Sequence, residues 1–201
     1  WNEVWETGFE PVVIDDFCAI RAHFHEPIVG VEYEIVITPK MSFGTGHHAT
    51  TYLMIKQMRD IDFKDKTVFY FGTGTGILAI LAEKLGATAI EAIDVDDWSF
   101  ENATENAEQN RSTKINFELT SQLPQQKTFD IVLANINRNV IMQYLPQLKE
   151  VVTEKGVLLL SGLLLDDRND IIAACQEQQF ILTAEEERNN WIVLRFEKSN
   201  P

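Results

Sequence analysis

From Thr67 onward, short runs of β-branched and aromatic residues alternate with longer stretches whose apolar positions recur every three to four residues. Runs of the first kind suit buried strands, and stretches of the second kind suit helices with one apolar face. The pattern predicts strands over 67–71, 89–94, 115–119, 129–134 and 157–161, with helices over 77–85, 98–109, 140–152 and 167–178. A helix over 49–59 precedes them, with Thr51, Met54, Ile55 and Met58 on one face. Strands over 180–186 and 191–196 close the chain, joined only through Asn189-Asn190, which predicts an antiparallel hairpin. Alternating strands and helices argue for an α/β fold, a mostly parallel sheet covered by helices on both faces. In such sheets ligands bind beyond the carboxyl ends of the strands. The loops after Phe71, Asp94 and Ala134 are therefore the candidate site.

The first forty residues follow a different pattern. Short extended runs over 11–14, 19–24 and 34–37 read as strands, and Trp1, Trp5 and Phe9 fall at helical spacing. That stripe serves core packing or the docking of a further segment. His23 and His25 alternate, which places them on one face of a strand. A glycine-punctuated loop, Met41-Ser-Phe-Gly-Thr-Gly-His-His48, leads into the first long helix.

Composition narrows the picture. The chain has 201 residues with ordinary globular proportions, enough for one domain and a sizeable core. Its formal net charge of −14 has the sign opposite to a generic nucleic-acid binder and suits a basic protein partner. No direct nucleic-acid contact is expected. Cys18 and Cys175 share no metal-ligand spacing and read as buried thiols of a reduced, cytoplasmic protein. The longest apolar stretch, 157–165, is interrupted by Ser161-Gly162 and is too short to span a bilayer. Adjacent His47 and His48 have no Cys or acidic cluster near them, so a structural or substrate-contact role is favoured over a metal site.

Three features carry chemistry. Gly72, Gly74 and Gly76 lie between a strand and a helix, where glycine permits a tight turn and close approach of a ligand to the backbone. The spacing is G-x-G-x-G and not the dinucleotide G-x-G-x-x-G, because Ile77 stands where the last glycine would be. A plain turn remains the alternative. Asp94 ends the next strand, 22 residues beyond Gly72, where an acid grips ribose hydroxyls. The competing role for an aspartate there, capping the helix that starts near Trp98, suits Asp96 or Asp97 better. Asn135 follows a buried apolar strand at the same edge. An asparagine there either turns the chain or offers an oxygen to an incoming amine.

Met41-Ser-Phe-Gly-Thr-Gly-His-His-Ala-Thr-Thr51, Gly72-Thr-Gly-Thr-Gly-Ile-Leu-Ala-Ile80, Ala92-Ile-Asp-Val-Asp96, Ala134-Asn-Ile136 and Leu160-Ser-Gly-Leu163 together resemble the bacterial ribosomal protein methyltransferases of the PrmA type. The resemblance implies the class I methyltransferase fold, with a seven-stranded sheet and a reversed last hairpin. It implies S-adenosylmethionine as cofactor and amino groups of a large-subunit ribosomal protein, lysine side chains and an N-terminal amine, as acceptors. Cofactor contacts then fall on Thr51, Gly72, Gly74, Asp94 and Asn135, with Asn135 also orienting the amine. Phe43, Gly44, Thr45 and Gly46 would cover the site. No metal and no membrane are implied, and a monomer is expected. Residues 1–40 are read as a lead-in from a recognition domain and 41–201 as the catalytic domain. Tyr70 stands where this fold usually has an acid, and Thr73 where the family often has cysteine. A methyltransferase of another substrate and an inactive adenosyl-binding relative are the alternatives.

Overall fold

The computed structural model describes residues 8–40, 44 and 48–199. Strands β1 (Val12–Ile14), β2 (Cys18–Ala22) and β3 (Tyr33–Ile37) come first. Helix α1 (Ala49–Met58), strand β4 (Thr67–Phe71), helix α2 (Ile77–Lys84), strand β5 (Ala89–Asp94) and helix α3 (Asp97–Gln109) follow. Then come β6 (Ile115–Leu119), β7 (Phe129–Asn135), α4 (Arg138–Val151), β8 (Val152–Leu164), α5 (Arg168–Glu177), β9 (Phe180–Arg188) and β10 (Trp191–Lys198). The seven-stranded sheet runs β6-β5-β4-β7-β8-β10-β9. Its pairings are parallel except those of β10, which is antiparallel to both β8 and β9. The fold is the mostly parallel methyltransferase sheet with a reversed C-terminal hairpin. Strand order turns back between β4 and β7, so a crevice opens where the chain leaves these two neighbours in opposite directions.

Alternation along β4 sets the layers. Val68 and Tyr70 face one side, packed with Leu53 and Met54 of α1, Ile77 and Ile80 of α2, and Ile20 and Ile35. Phe69 and Phe71 face the other, with Ile141 and Leu145 of α4 and Ile171 and Cys175 of α5. A strand buried on both faces needs this unbroken apolar run, which explains Val68-Phe-Tyr-Phe71. The three-stranded sheet, with β1 antiparallel and β3 parallel to β2, adds Ile14, Ile20 and Ile35 to the first of these cores.

Three boundaries differ from the pattern reading. Strand β2 stops at Ala22, and His23 and His25 lie in a turn, not on a strand face. His25 closes that turn: its Nδ1 accepts from Ala22 N at 3.1 Å, and its ring stacks on Phe9. Strand β8 is longer than the apolar run of 157–161. Its register jumps from Phe129↔Val152 to Ile131↔Val157, so the polar residues 153–156 bulge out of the ladder, with Lys155 at φ 61. The hairpin strands extend to Arg188 and Lys198, and Asn189 and Asn190 turn at φ 51 and 67, a left-handed pair matched to sheet twist. Trp1 and Trp5 lie outside the described residues, while Phe9 is buried.

Candidate functional site

A cavity of about 650 Å³ lies over the carboxyl ends of β4, β5 and β7, within the usual size range of small-molecule sites. Tyr70, Gly72, Gly74, Asp94 and Asn135 line it. The glycine loop bends tightly, with Gly72 at φ 86 and Gly76 at φ 80. A methyl group on Gly72 would come within 2.5 Å of Ile136 Cγ2, so the loop lies directly against the chain leaving β7.

Asp94 is held by its surroundings. Its Oδ2 accepts from Gly74 N at 2.9 Å, and its Oδ1 from Val95 N at 2.8 Å and Asp96 N at 3.0 Å. A carboxylate has about four acceptor sites. Three are filled, and the remaining one is on Oδ2. Asp96 caps α3 through Ser99 N at 3.1 Å, as expected of one of the two candidate caps, and leaves Asp94 to the cavity.

Asn135 is 9% exposed at the end of β7. Its Nδ2 donates to Thr51 Oγ1 over a long 3.4 Å, and its Oδ1 is buried without a hydrogen-bond donor. Leaving a buried acceptor unpaired costs about 1–3 kcal/mol, so such an oxygen at a cavity wall points to a ligand donor. Thr73 Oγ1, in the glycine loop, is likewise buried and unpaired. Tyr70 is 4% exposed. Burial first, and then the negative charge of Asp94, push its phenol far above the ordinary range, so it meets the cavity as a neutral hydroxyl.

The family described as "Ribosomal protein L11 methyltransferase (PrmA)" matches this chain over residues 1–199. A relative of that name from Porphyromonas gingivalis is 41% identical over 204 residues, covering 100% of this chain and 70% of its own. One from Bacteroides fragilis is 39% identical, covering 98% of this chain and 71% of its own. A solved structure, the ribosomal protein L11 methylase of Lactobacillus delbrueckii subsp. bulgaricus, superposes with a TM-score of 0.87 at 30% identity, covering 96% of this chain and 100% of that one. The chain belongs to the ribosomal protein L11 methyltransferase family. It is a methyltransferase, and the family's methyl donor is S-adenosylmethionine.

In this L11 methyltransferase family member, several of the residues singled out by the sequence reading come together in space. Gly72, Gly74, Asp94 and Asn135 meet at one cavity. Gly44 also lines it, its carbonyl accepting from Thr75 Oγ1 at 2.6 Å, whereas Phe43, Thr45 and Gly46 lie outside the described residues. Thr51 is buried against Asn135, and Thr50, buried to the same degree, is the one of the pair that lines the cavity. His48 caps α1, its Nδ1 accepting from Thr50 N at 3.2 Å. Among the described residues, no cluster of three or more His, Cys, Asp or Glu side chains could hold a metal ion. The pattern reading missed Gly162 and Trp191, which also line the cavity, Trp191 packing edge-on against the His48 ring at 4.8 Å. The signal for Gly162 was a glycine interrupting the strongest apolar run, which in a strand marks close backbone approach.

Proposed function

We propose that the chain transfers methyl groups from S-adenosylmethionine to amino groups of the large-subunit ribosomal protein L11, at lysine side chains and the N-terminal amine. The observation that carries this is the unpaired, buried Oδ1 of Asn135 at the cavity wall. An amine N–H is the donor that oxygen needs, and the bond would aim the nitrogen lone pair into the cavity. Apolar side chains such as Phe71, Ile93 and Ile136 line the same cavity, and such a lining favours the neutral, nucleophilic amine over its ammonium. The ammonium proton leaves to solvent before attack. When bound, S-adenosylmethionine supplies an electrophilic methyl group on a sulfonium that departs as a neutral thioether.

The cofactor's ribose would bond to the open site on Asp94 Oδ2, and the glycine loop would lie along its amino-acid end. Both catalytic and cofactor assignments fall within residues 41–201. Residues 8–40 buttress them from one side of the core. The net charge of −14 fits a basic acceptor protein and a monomer that does not grip nucleic acid. No described helix is long and apolar enough to cross a membrane. A ribosomal protein as acceptor implies the cytoplasm. The test is calorimetric titration with S-adenosylhomocysteine, followed by methyl transfer to purified L11. One-to-one micromolar binding with methylation of L11 amines is expected. Binding without transfer to L11 would reject the acceptor, and absence of binding by folded chain would reject the cofactor site.

A further inference from the structure

Thr75 sits inside the glycine loop, 2% exposed, and connects that loop to two places at once. Its hydroxyl donates to Gly44 O at 2.6 Å. Its carbonyl accepts from Asn106 Nδ2 of α3 at 2.9 Å. Asn106, fully buried, uses its other amide end to accept from Thr38 N at 2.9 Å, and Asn102 Nδ2 donates to Thr38 O at 3.2 Å. Thr38 and Gly44 are therefore both tied to one loop residue. Helix α3 also presses on that loop directly: a methyl on Gly76 would stand 3.0 Å from Ala103 Cβ.

We infer that Thr75 is a positioning residue for the cofactor cavity: through its hydroxyl and through Asn106 it fixes Gly44, and Thr38 before it, against the glycine loop. Gly44 forms a wall of the cavity, and its lack of a side chain lets it approach, since a methyl there would lie 3.2 Å from Thr75 Oγ1. The relay is buried and both ends of the Asn106 amide are used, so it holds one distance between two walls. The inference rests on the cofactor reading of the cavity.

The experiment titrates S-adenosylhomocysteine into the native chain and into Thr75→Val, Thr75→Ser and Gly44→Ala, at a temperature where circular dichroism shows each folded. Thr75→Val keeps the shape and removes the donor. It is expected to weaken binding about three- to tenfold, the scale of one hydrogen bond. Thr75→Ser restores the donor and should return affinity to within about twofold of native. Gly44→Ala perturbs the same contact from the other side and should weaken binding in the same direction. A purely structural role would lower melting temperature without this pattern of loss and rescue. Native-like affinity in both Thr75→Val and Gly44→Ala, or failure of serine to restore it, overturns the inference while the native chain still binds. A native chain that does not bind at all overturns the cofactor reading, and the inference with it.

Discussion

Replacing Gly162 with alanine sets a defined displacement at the cavity. Gly162 has φ 85, and a methyl built on it falls 2.2 Å from Ile136 O, 2.7 Å from Ile136 C and 2.9 Å from Ile136 N. Ordinary contact begins near 3.4 Å, so the peptide after Asn135 must retreat by about 1.2 Å. It is backbone on both sides, with Ile136 N donating to Ser161 O at 3.2 Å, so no side chain can swing away. Gly30 provides the control, because it too has φ 85 but a methyl there meets nothing within 4 Å. Left-handed alanine costs about 1–2 kcal/mol. A forced backbone shift in a packed region adds about 1–3 kcal/mol. Urea denaturation should therefore show Gly30→Ala destabilised by about 1–2 kcal/mol and Gly162→Ala by about 2–5 kcal/mol. Methyl transfer should separate them further. An error of about 1 Å in the reacting geometry costs on the order of a hundredfold in rate, and Gly30→Ala has none to transmit. Equal stability losses in the two variants, or native turnover by Gly162→Ala, would refute the argument that Gly162 seats Asn135.

Other expectations concern separate sites. Asp94→Ala should weaken S-adenosylhomocysteine binding by about 1–3 kcal/mol, since charge-assisted bonds to the carboxylate go with it. Unchanged affinity by calorimetry would remove Asp94 from the site. Burial holds both the Cys18 and Cys175 thiols up at about 12, so iodoacetamide at pH 8 should label neither in the native chain and both in urea. Native labelling, read by mass spectrometry, would contradict the core assignment. Glu34 is partly buried, which alone would raise its pKa. The Arg21 guanidinium and Ile28 N–H outweigh this and hold it below the usual carboxylate range. A depressed folded pKa contributes stability above the unfolded pKa that is lost as pH falls through the folded one. Glu34→Gln should therefore flatten the acid limb of the stability curve below about pH 4.5 and leave its slope near neutral pH unchanged. A native-like acid limb in that variant would show the pair to be inert.

The parallel sheet was legible because each central strand is apolar on both faces and each is separated by a helical period. Once Phe71, Asp94 and Asn135 are known to end their strands, their meeting at one edge follows from parallel pairing. Non-local contacts were the part that stayed hidden. Gly162 and Trp191 enter the site from β8 and from the antiparallel β10, and no local pattern tells that β10 inserts between β8 and β9. Thr50 and Thr51 differ by one helical step, so which one reaches the cavity depends on a rotation that packing sets, not periodicity. His23 and His25 show alternation without a strand, because the chain turns at Ala22 through a side-chain bond that composition does not signal. Asn102, Asn106 and Asn110 recur every four residues, yet no local pattern marks their role, because their partners on Thr38 and Val36 lie 64 to 74 positions away.

Those three asparagines have a consequence beyond the cavity. Strand β3 pairs with β2 along one side. Along its other side Val36 N donates to Asn110 Oδ1 at 2.9 Å and Val36 O accepts from Asn110 Nδ2 at 2.6 Å, as an adjoining strand would arrange them. A helix thus imitates a strand with its side-chain amides and closes the rim. Open rims are where one copy of a protein recruits another into aggregates. Substituting Asn110 with an apolar residue of similar size would reopen that rim, and its first symptom would be turbidity in concentrated or heated samples.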